Sequence, residues 1–136
     1  MKNTNTGFQH LINSTKYSLQ GLGHAIKNEA AFRQELILVG VLFISSFFIS
    51  EGFLSWCLLI FPLFLLLIVE LLNSAIEAVV DRIGEEFHKL SGMAKDMGSA
   101  AVFLNLVFIA IVWVGYILYN FVLVEEKVGK GFDLNF

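Results

Sequence analysis

Residues 69–81 read Val69-Glu70-Leu71-Leu72-Asn73-Ser74-Ala75-Ile76-Glu77-Ala78-Val79-Val80-Asp81, and the fold turns on how they are read. They close an apolar run that begins near Gly52, so they form the inner end of an expected membrane-spanning helix. At roughly 100° per residue, Glu70, Asn73, Ser74, Glu77 and Asp81 fall on one face, while Leu71, Leu72, Ile76, Val79 and Ile83 cover the other. Carboxylates, an amide and a hydroxyl thus project along one stripe that enters the bilayer from its wet edge. Ionisable groups at such depth cost several kcal/mol, so they face a bundle interior or a polar cavity and serve chemistry or transport. The plain alternative is a polar seam that only glues helices together. A whole stripe favours function over glue.

The rest of the chain agrees with a membrane setting. Its 136 residues allow one domain. Hydrophobic residues make up 57%, with a single Pro, and mean hydropathy is +0.74. That composition excludes an ordinary soluble domain. Net charge of −3 says less than the placement of the charges. No cleavable signal peptide is expected, because the first apolar run starts only near Ala30, behind a polar segment with no suitable cleavage site. Cys57 is the only cysteine. It rules out an intrachain disulfide and a Cys/His zinc site, and it is expected to be a buried, inert thiol.

Outward from the central stretch, the chain divides into a surface helix and three spans. Residues 6–28 place Phe8, Leu11, Ile12, Leu19, Leu22 and Ile26 opposite His10, Lys16, Gln20 and Lys27, a pattern for a helix lying in the membrane surface. A break is expected around Gly21 and Gly23. Span one covers residues 30–50, with Arg33 and Glu35 at its boundary. Ser50-Glu51-Gly52 is a tight connection. Span two covers 53–80, with Trp56 as an interfacial anchor. It contains Pro62, where a kink is expected and neighbouring helices can satisfy the freed carbonyl. Residues 81–96 form a polar connection. Span three covers 97–120 and opens with Gly98-Ser99-Ala100-Ala101, small residues that permit close helix approach. Asn105 is expected to make one interhelical hydrogen bond, and residues 121–136 form a frayed tail.

Lys2, Lys16, Lys27 and Arg33 precede span one, and Arg82, Lys89 and Lys95 lie between spans two and three. The turn at Glu51 carries no basic residue, and the tail only Lys127 and Lys130. The excess of positive charge assigns the N-terminus and the 81–96 connection to the cytoplasm and the C-terminus to the outside. The polar stripe, the Glu29 region and Lys95-Asp96 then share the compartment that holds ATP.

Their chemistry can be read from spacing. Glu77 lies two helical turns from Glu70, roughly 10 Å along the axis, too far for one ion to be shared directly. Mg²⁺ takes one or two protein carboxylates and completes its shell with phosphates and water, a role for Glu77 together with Glu29. Glu70, deeper, is placed to accept a proton from a hydroxyl arriving from the lipid side. Lys95 supplies a point cation for phosphate. Such parts perform phosphoryl transfer, where positioning and charge neutralisation supply most of the catalysis. The sequence has neither Gly-x-x-x-x-Gly-Lys-[Ser/Thr] nor Gly-x-Gly-x-x-Gly, so a nucleotide site must be built without a phosphate loop.

The run from Glu70 to Gly84, followed by Glu86, His88, Leu90-Ser91-Gly92 and Ala94-Lys95-Asp96-Met97-Gly98-Ser99-Ala100-Ala101, closely resembles the small integral-membrane diacylglycerol kinases of bacteria. Asn28-Glu29-Ala30-Ala31-Phe32-Arg33-Gln34-Glu35 and Tyr17-Ser18-Leu19-Gln20-Gly21-Leu22 match the same family, so the resemblance extends over about residues 6–120. It implies an all-α homotrimer of three-span subunits with a surface helix in the bacterial inner membrane. Active sites shared between subunits would transfer the ATP γ-phosphate to diacylglycerol, with Mg²⁺, to give phosphatidic acid. By motif, Glu70 would be the general base, supported by Asn73, and Glu29 and Glu77 the metal ligands. His10, Tyr17, Glu29, Glu77, Glu86, Phe87, His88, Lys95 and Asp96 would line the nucleotide. Ser14, Ser18, Ala31, Phe32, Arg33, Gln34, Glu35, Trp56, Glu70, Ser99 and Trp113 would border the lipid. His10 stands where Arg is usual in the family's best-known members. Phe87 replaces the usual Tyr and can stack but offers no hydroxyl.

Two rivals differ in substrate or in class. Related small kinases act on undecaprenol, but the wording around Asn73-Ser74 and Ser91–Gly98 favours the diacylglycerol branch. A non-catalytic channel or transporter subunit would use the stripe for ion passage. Against it, the carboxylates cluster toward one leaflet, and the first span and the outer half of the second are nearly all apolar.

Overall fold

In the computed structural model, which describes residues 7–84, 86 and 88–132, four helices follow one another: α1 (Gly7–Asn28), α2 (Ala30–Ile49), α3 (Phe53–Ile83) and α4 (Lys89–Phe132). The fold is all-α. Three segments are long and apolar enough to cross a membrane: Ala30–Ile49, Phe53–Ile83 and Lys89–Glu126. The central helix is α3, which packs against both α2 and α4.

One seam along α3 organises the packing. Leu59, Pro62, Leu63, Leu66, Glu70 and Asn73 are its buried residues, spaced three or four apart so that they stack on one side of the helix. Leu59, Leu63 and Leu66 meet Val39 of α2 and Ile109 and Trp113 of α4. The opposite face, with Leu72, Ile76, Val79 and Ile83, is exposed and suits contact with lipid. Helix α4 is fastened to α3 through two side-chain donors. The Asn105 amide donates to the Pro62 carbonyl at 3.0 Å, and the Trp113 indole to the Leu59 carbonyl at 3.1 Å. Helix α3 continues through Pro62. A proline lacks an N–H and leaves the carbonyl four residues earlier, that of Leu58, without its helical donor; the two α4 donors land on the carbonyls one and four residues after it. The expected interhelical bond from Asn105 is therefore present, on the carbonyl of the proline itself.

At the N-terminal end of α3, the Tyr116 hydroxyl accepts the Glu51 N–H at 3.0 Å, tying the turn to α4. Trp56 is half-buried, with its ring centroid 5.4 Å from Phe47 and 6.2 Å from Phe43. Cys57 is partly, not fully, buried.

Helix boundaries depart from the sequence expectation in three places. First, α1 runs unbroken through Gly21 and Gly23. Neither glycine has a positive φ, so the cost of each, about 1 kcal/mol against Ala, is absorbed without a turn. Second, the polar connection expected over 81–96 is mostly helix: α3 reaches Ile83 and α4 begins at Lys89. The His88 Nδ1 accepts the Leu90 N–H at 3.2 Å, and the His88 carbonyl accepts the Gly92 N–H at 3.0 Å, so His88 caps the start of α4. Third, α4 carries on past 120 to Phe132, where a frayed tail was expected. Residues 133–136 lie outside the described residues.

The joint between α1 and α2 is a single extended residue, Glu29, with φ −98 and ψ 114. Arg33 secures it: its Nη1 donates to the Ile26 carbonyl at 3.1 Å and the Lys27 carbonyl at 3.2 Å. These are among the carbonyls a helix end leaves without an internal partner, and a cation is favoured there.

Candidate functional site

The C-terminal third of α3 continues its packing seam with polar residues. Glu70 is 4% exposed and Asn73 9%, while Glu77 is half-buried. The Asn73 Nδ2 donates to Glu77 Oε1 at 3.2 Å. The other end of that amide, Oδ1, is buried without a partner among the described residues. Helix α4 presses on the same side chain: a Cβ at Gly98 would overlap Asn73 Oδ1 and stand 3.3 Å from its Cγ and 3.9 Å from its Cα. About a turn away along α4, Lys95 pairs with Asp81 at 2.5 Å.

Carboxylates from two further positions gather round Glu70. Glu29 and Glu77 both lie within its electrostatic reach, and so does Glu35 of α2, whose Oε2 is buried and unpartnered. Glu29 stands at the N-cap of α2 but makes no side-chain cap hydrogen bond, so its carboxylate is not committed to holding the helix.

Two crevices adjoin this acidic ridge, one beside it and one at its C-terminal end. A cavity of about 620 Å³ lies between α1 and α3, where Ser18, His24, Asn28 and Glu29 face Leu71 and Ser74 across mainly apolar walls. A second, about 440 Å³, lies between the C-terminal end of α3 and the start of α4 and is charged, with Asp81, Glu86, His88, Ser91 and Lys95 on its walls. On a helical wheel Leu71, Ala75 and Ala78 lie to one side of the Glu70–Glu77–Asp81 line, and Val69, Leu72 and Ile76 to the other. The first crevice lies on the Leu71 side of that line. The Val69–Leu72–Ile76 side opens on a third, apolar crevice of about 550 Å³ against Met97, Gly98 and Ala101 of α4. The charged crevice lies at the C-terminal end of the line, at Val80, Asp81 and Gly84.

Of the residues singled out in the sequence, Glu70, Asn73 and Glu77 stand on this ridge, Glu35 is close to it, and five more lie in the crevices. Glu29 and Ser18 line the first crevice, and Glu86, His88 and Lys95 the second. The Ser18 hydroxyl donates to the Ser14 carbonyl at 2.9 Å. His10, Ser14 and Tyr17 are exposed on α1, and Ala31, Gln34, Asp96 and Ser99 are exposed on their helices. Phe32 is buried. Phe87 lies outside the described residues. Arg33, assigned to the lipid border by resemblance, is engaged with the end of α1. The two tryptophans are not brought to the ridge. Trp113 is buried in the apolar core and bonded to Leu59, eleven residues before Glu70 and about 16 Å along the axis. Trp56 is farther still, about 21 Å.

Sequence reasoning missed the roles of Gly98, Asp81 and His24. Gly98 was legible only as one of several small residues permitting close approach. Asp81 was placed on the stripe without its Lys95 partner. His24 had no signal beyond its place on α1.

The donor set suits a hard cation only in part. Among the described residues no group of three or more His, Cys, Asp or Glu could hold a metal. Glu29 and Glu77 each lie within reach of Glu70 from different elements, and a Mg²⁺ ion held by such a pair would draw the rest of its shell from phosphate and water. Asn73 holds Glu77 by one oxygen and leaves the other for that use.

Comparison with known proteins points to one family. The family model described as prokaryotic diacylglycerol kinase matches residues 16–117. The chain is 54% identical over 114 residues to a diacylglycerol kinase of Haemophilus influenzae, covering 84% of this chain and 97% of that one. It is 50% identical over 113 residues to the diacylglycerol kinase of Escherichia coli, covering 83% and 93%. With the diacylglycerol kinase of Helicobacter pylori it shares 45% over 112 residues, covering 82% and 88%.

Proposed function

Since the chain belongs to the prokaryotic diacylglycerol kinase family, we propose that it is an ATP-dependent lipid kinase that converts diacylglycerol to phosphatidic acid and releases ADP. The observation that carries this reading is the buried Glu70, the inner end of a polar line that runs along α3 past the apolar crevice at Leu71 and Ser74 and reaches the charged one at Asp81. The lipid hydroxyl approaches along the α1–α3 crevice, whose hydroxyls and apolar walls suit a glycerol group with acyl chains. The nucleotide lies toward Glu86, His88 and Lys95.

Glu70 takes the proton of the acceptor hydroxyl. The oxygen then forms its bond to the γ-phosphorus as the bond to the β-phosphate oxygen breaks. Lys95 lies toward the phosphates and offsets their charge. Glu29 and Glu77 would hold Mg²⁺, which when bound shields the phosphate oxygens. Burial of Glu70 away from bulk water strengthens its interaction with the arriving hydroxyl and keeps competing water out.

The polar end of the bundle also requires neighbours. Three spans leave Glu77 half-buried and Asp81 exposed, beside outward faces that are apolar. Enclosing such groups takes further helices, and a homotrimer with active sites shared between subunits would provide them. The distribution of Lys and Arg places the N-terminus and the α3–α4 connection on the cytoplasmic side of the inner membrane, where ATP is found.

The test is phosphorylation of defined lipids in mixed micelles with MgATP. Diacylglycerol is expected to be phosphorylated and undecaprenol to be left unmodified. Turnover of the polyprenol with diacylglycerol untouched would reassign the acceptor, and ion flux in liposomes without ATP consumption would overturn the kinase reading.

A further inference from the structure

We infer that Gly98 is a positioning residue for the transfer site: by letting the α4 backbone close on Asn73, it fixes the amide that orients the Glu77 carboxylate. The inference rests on the proposed role of Glu77 as a metal ligand and deepens it.

Three observations meet at this point. Gly98 is buried at the α3–α4 contact, and an added Cβ would collide with the Asn73 amide. Asn73 is itself 9% exposed, so it has little room to move aside. Its Nδ2 reaches Glu77 Oε1 at 3.2 Å. A carboxylate accepts hydrogen bonds and does not donate, so only the NH₂ end of the amide can serve it. The Oδ1 end must then face the α4 backbone, where Gly98 leaves it room. Any side chain at position 98 would push the amide off α4 and swing Nδ2 away from Glu77. A partner of this kind fixes which carboxylate oxygen is left for a metal, and loss of such partners typically weakens metal affinity or activity by roughly 10–100-fold. Gly92 and Gly115 of α4 do not share this role. At Gly115 a Cβ would meet nothing within 4 Å.

The experiment compares Gly98→Ala, Gly115→Ala and the unsubstituted chain in mixed micelles. Half-saturating Mg²⁺ is read twice: from turnover, and from protection against heat in the presence of a non-hydrolysable ATP analogue. Gly98→Ala is expected to raise half-saturating Mg²⁺ by roughly 10-fold, with the KM for diacylglycerol unchanged, while Gly115→Ala leaves both alone. Unchanged Mg²⁺ dependence in a folded Gly98→Ala protein would overturn the inference. Should that variant not fold, Gly98→Ala/Asn73→Ala removes the collision. It is expected to match Asn73→Ala alone in heat resistance and Mg²⁺ protection, because the alanine at 98 then has space. A double variant clearly worse than Asn73→Ala would show that Gly98 acts through general packing, and would overturn the inference as well. Glu77→Gln separates this outcome from failure of the parent reading. If Glu77→Gln leaves Mg²⁺ dependence unchanged, the metal assignment fails; if it shifts that dependence and Gly98→Ala does not, only the positioning role fails.

Discussion

The N-terminal and C-terminal parts of the α3 seam share one geometry and put it to different uses. In the first, Leu59, Leu63 and Leu66 are fully buried, and the polar groups that reach them from α4, Asn105 and Trp113, each donate to an α3 carbonyl. In the second, Glu70 and Asn73 continue the same three-and-four spacing into positions almost as buried. Yet Asn73 Oδ1 and the neighbouring Glu35 Oε2 have no partner among the described residues. One half is closed and the other awaits company. Trp56, whose indole nitrogen is also buried and unpartnered, is the exception at the apolar end, where an indole can turn toward the membrane interface. Burial therefore does not separate scaffold from site here. Satisfaction of the buried polar groups does.

The strongest test of this contrast is Glu70→Gln. A neutral amide of the same shape keeps the packing but cannot take a proton. Turnover is expected to fall by about 10²–10⁴-fold, with ATP-analogue protection against heat retained. Equal loss of protection would make Glu70 scaffold, like Leu63. Glu77→Gln comes next. Its expected effect is roughly 10-fold or more on half-saturating Mg²⁺, recoverable in part at high Mg²⁺, whereas the loss in Glu70→Gln is not. If added Mg²⁺ rescued both or neither, the two carboxylates would not hold separate tasks.

The closed half is tested through Trp113→Phe, which keeps the ring in the core and removes the donor to Leu59. The Leu59 carbonyl keeps the helical N–H of Leu63, so losing the indole's bond costs about 0.5–1.5 kcal/mol, and a lower unfolding temperature in micelles is expected while kcat and Mg²⁺ dependence stay put. A change in the KM for diacylglycerol without loss of stability would instead restore Trp113 to the lipid border, where family resemblance put it.

The core position of Trp113 shows what could and could not be read in advance. The stripe of α3 was legible because its polar residues break a strongly apolar run at helical spacing, and periodicity within one helix is written in one dimension. Around Trp113 almost every neighbour is apolar, with Val112, Val114, Ile111 and Ile117 beside it. No periodic contrast there reveals which face turns inward. The Gly98 contact depends on the register of α4 against α3, which neither helix encodes alone. Gly21 and Gly23 were expected to break α1 on local propensity, and the surrounding helix overrode it. At the far end, Phe121 to Glu126 hold helical conformation past the expected limit of span three.

Arg33 carries the smallest expected effect and tests the boundary between the two uses. Its guanidinium satisfies two carbonyls at the end of α1, which sets the angle at which Glu29 is presented. Charge at an exposed helix C-terminus stabilises by about 0.3–1 kcal/mol. Arg33→Gln is therefore expected to lower kcat/KM by less than about 5-fold, and to speed limited proteolysis at the Asn28–Glu29 joint as α1 loosens. A direct hold on the lipid predicts the reverse pattern, with a much larger rise in the KM for diacylglycerol and proteolysis unchanged. Loosening with a modest kinetic cost would place Arg33 with Asn105 and Trp113, among polar side chains that join helices by donating to a neighbouring helix's carbonyls, even though it stands four residues from Glu29.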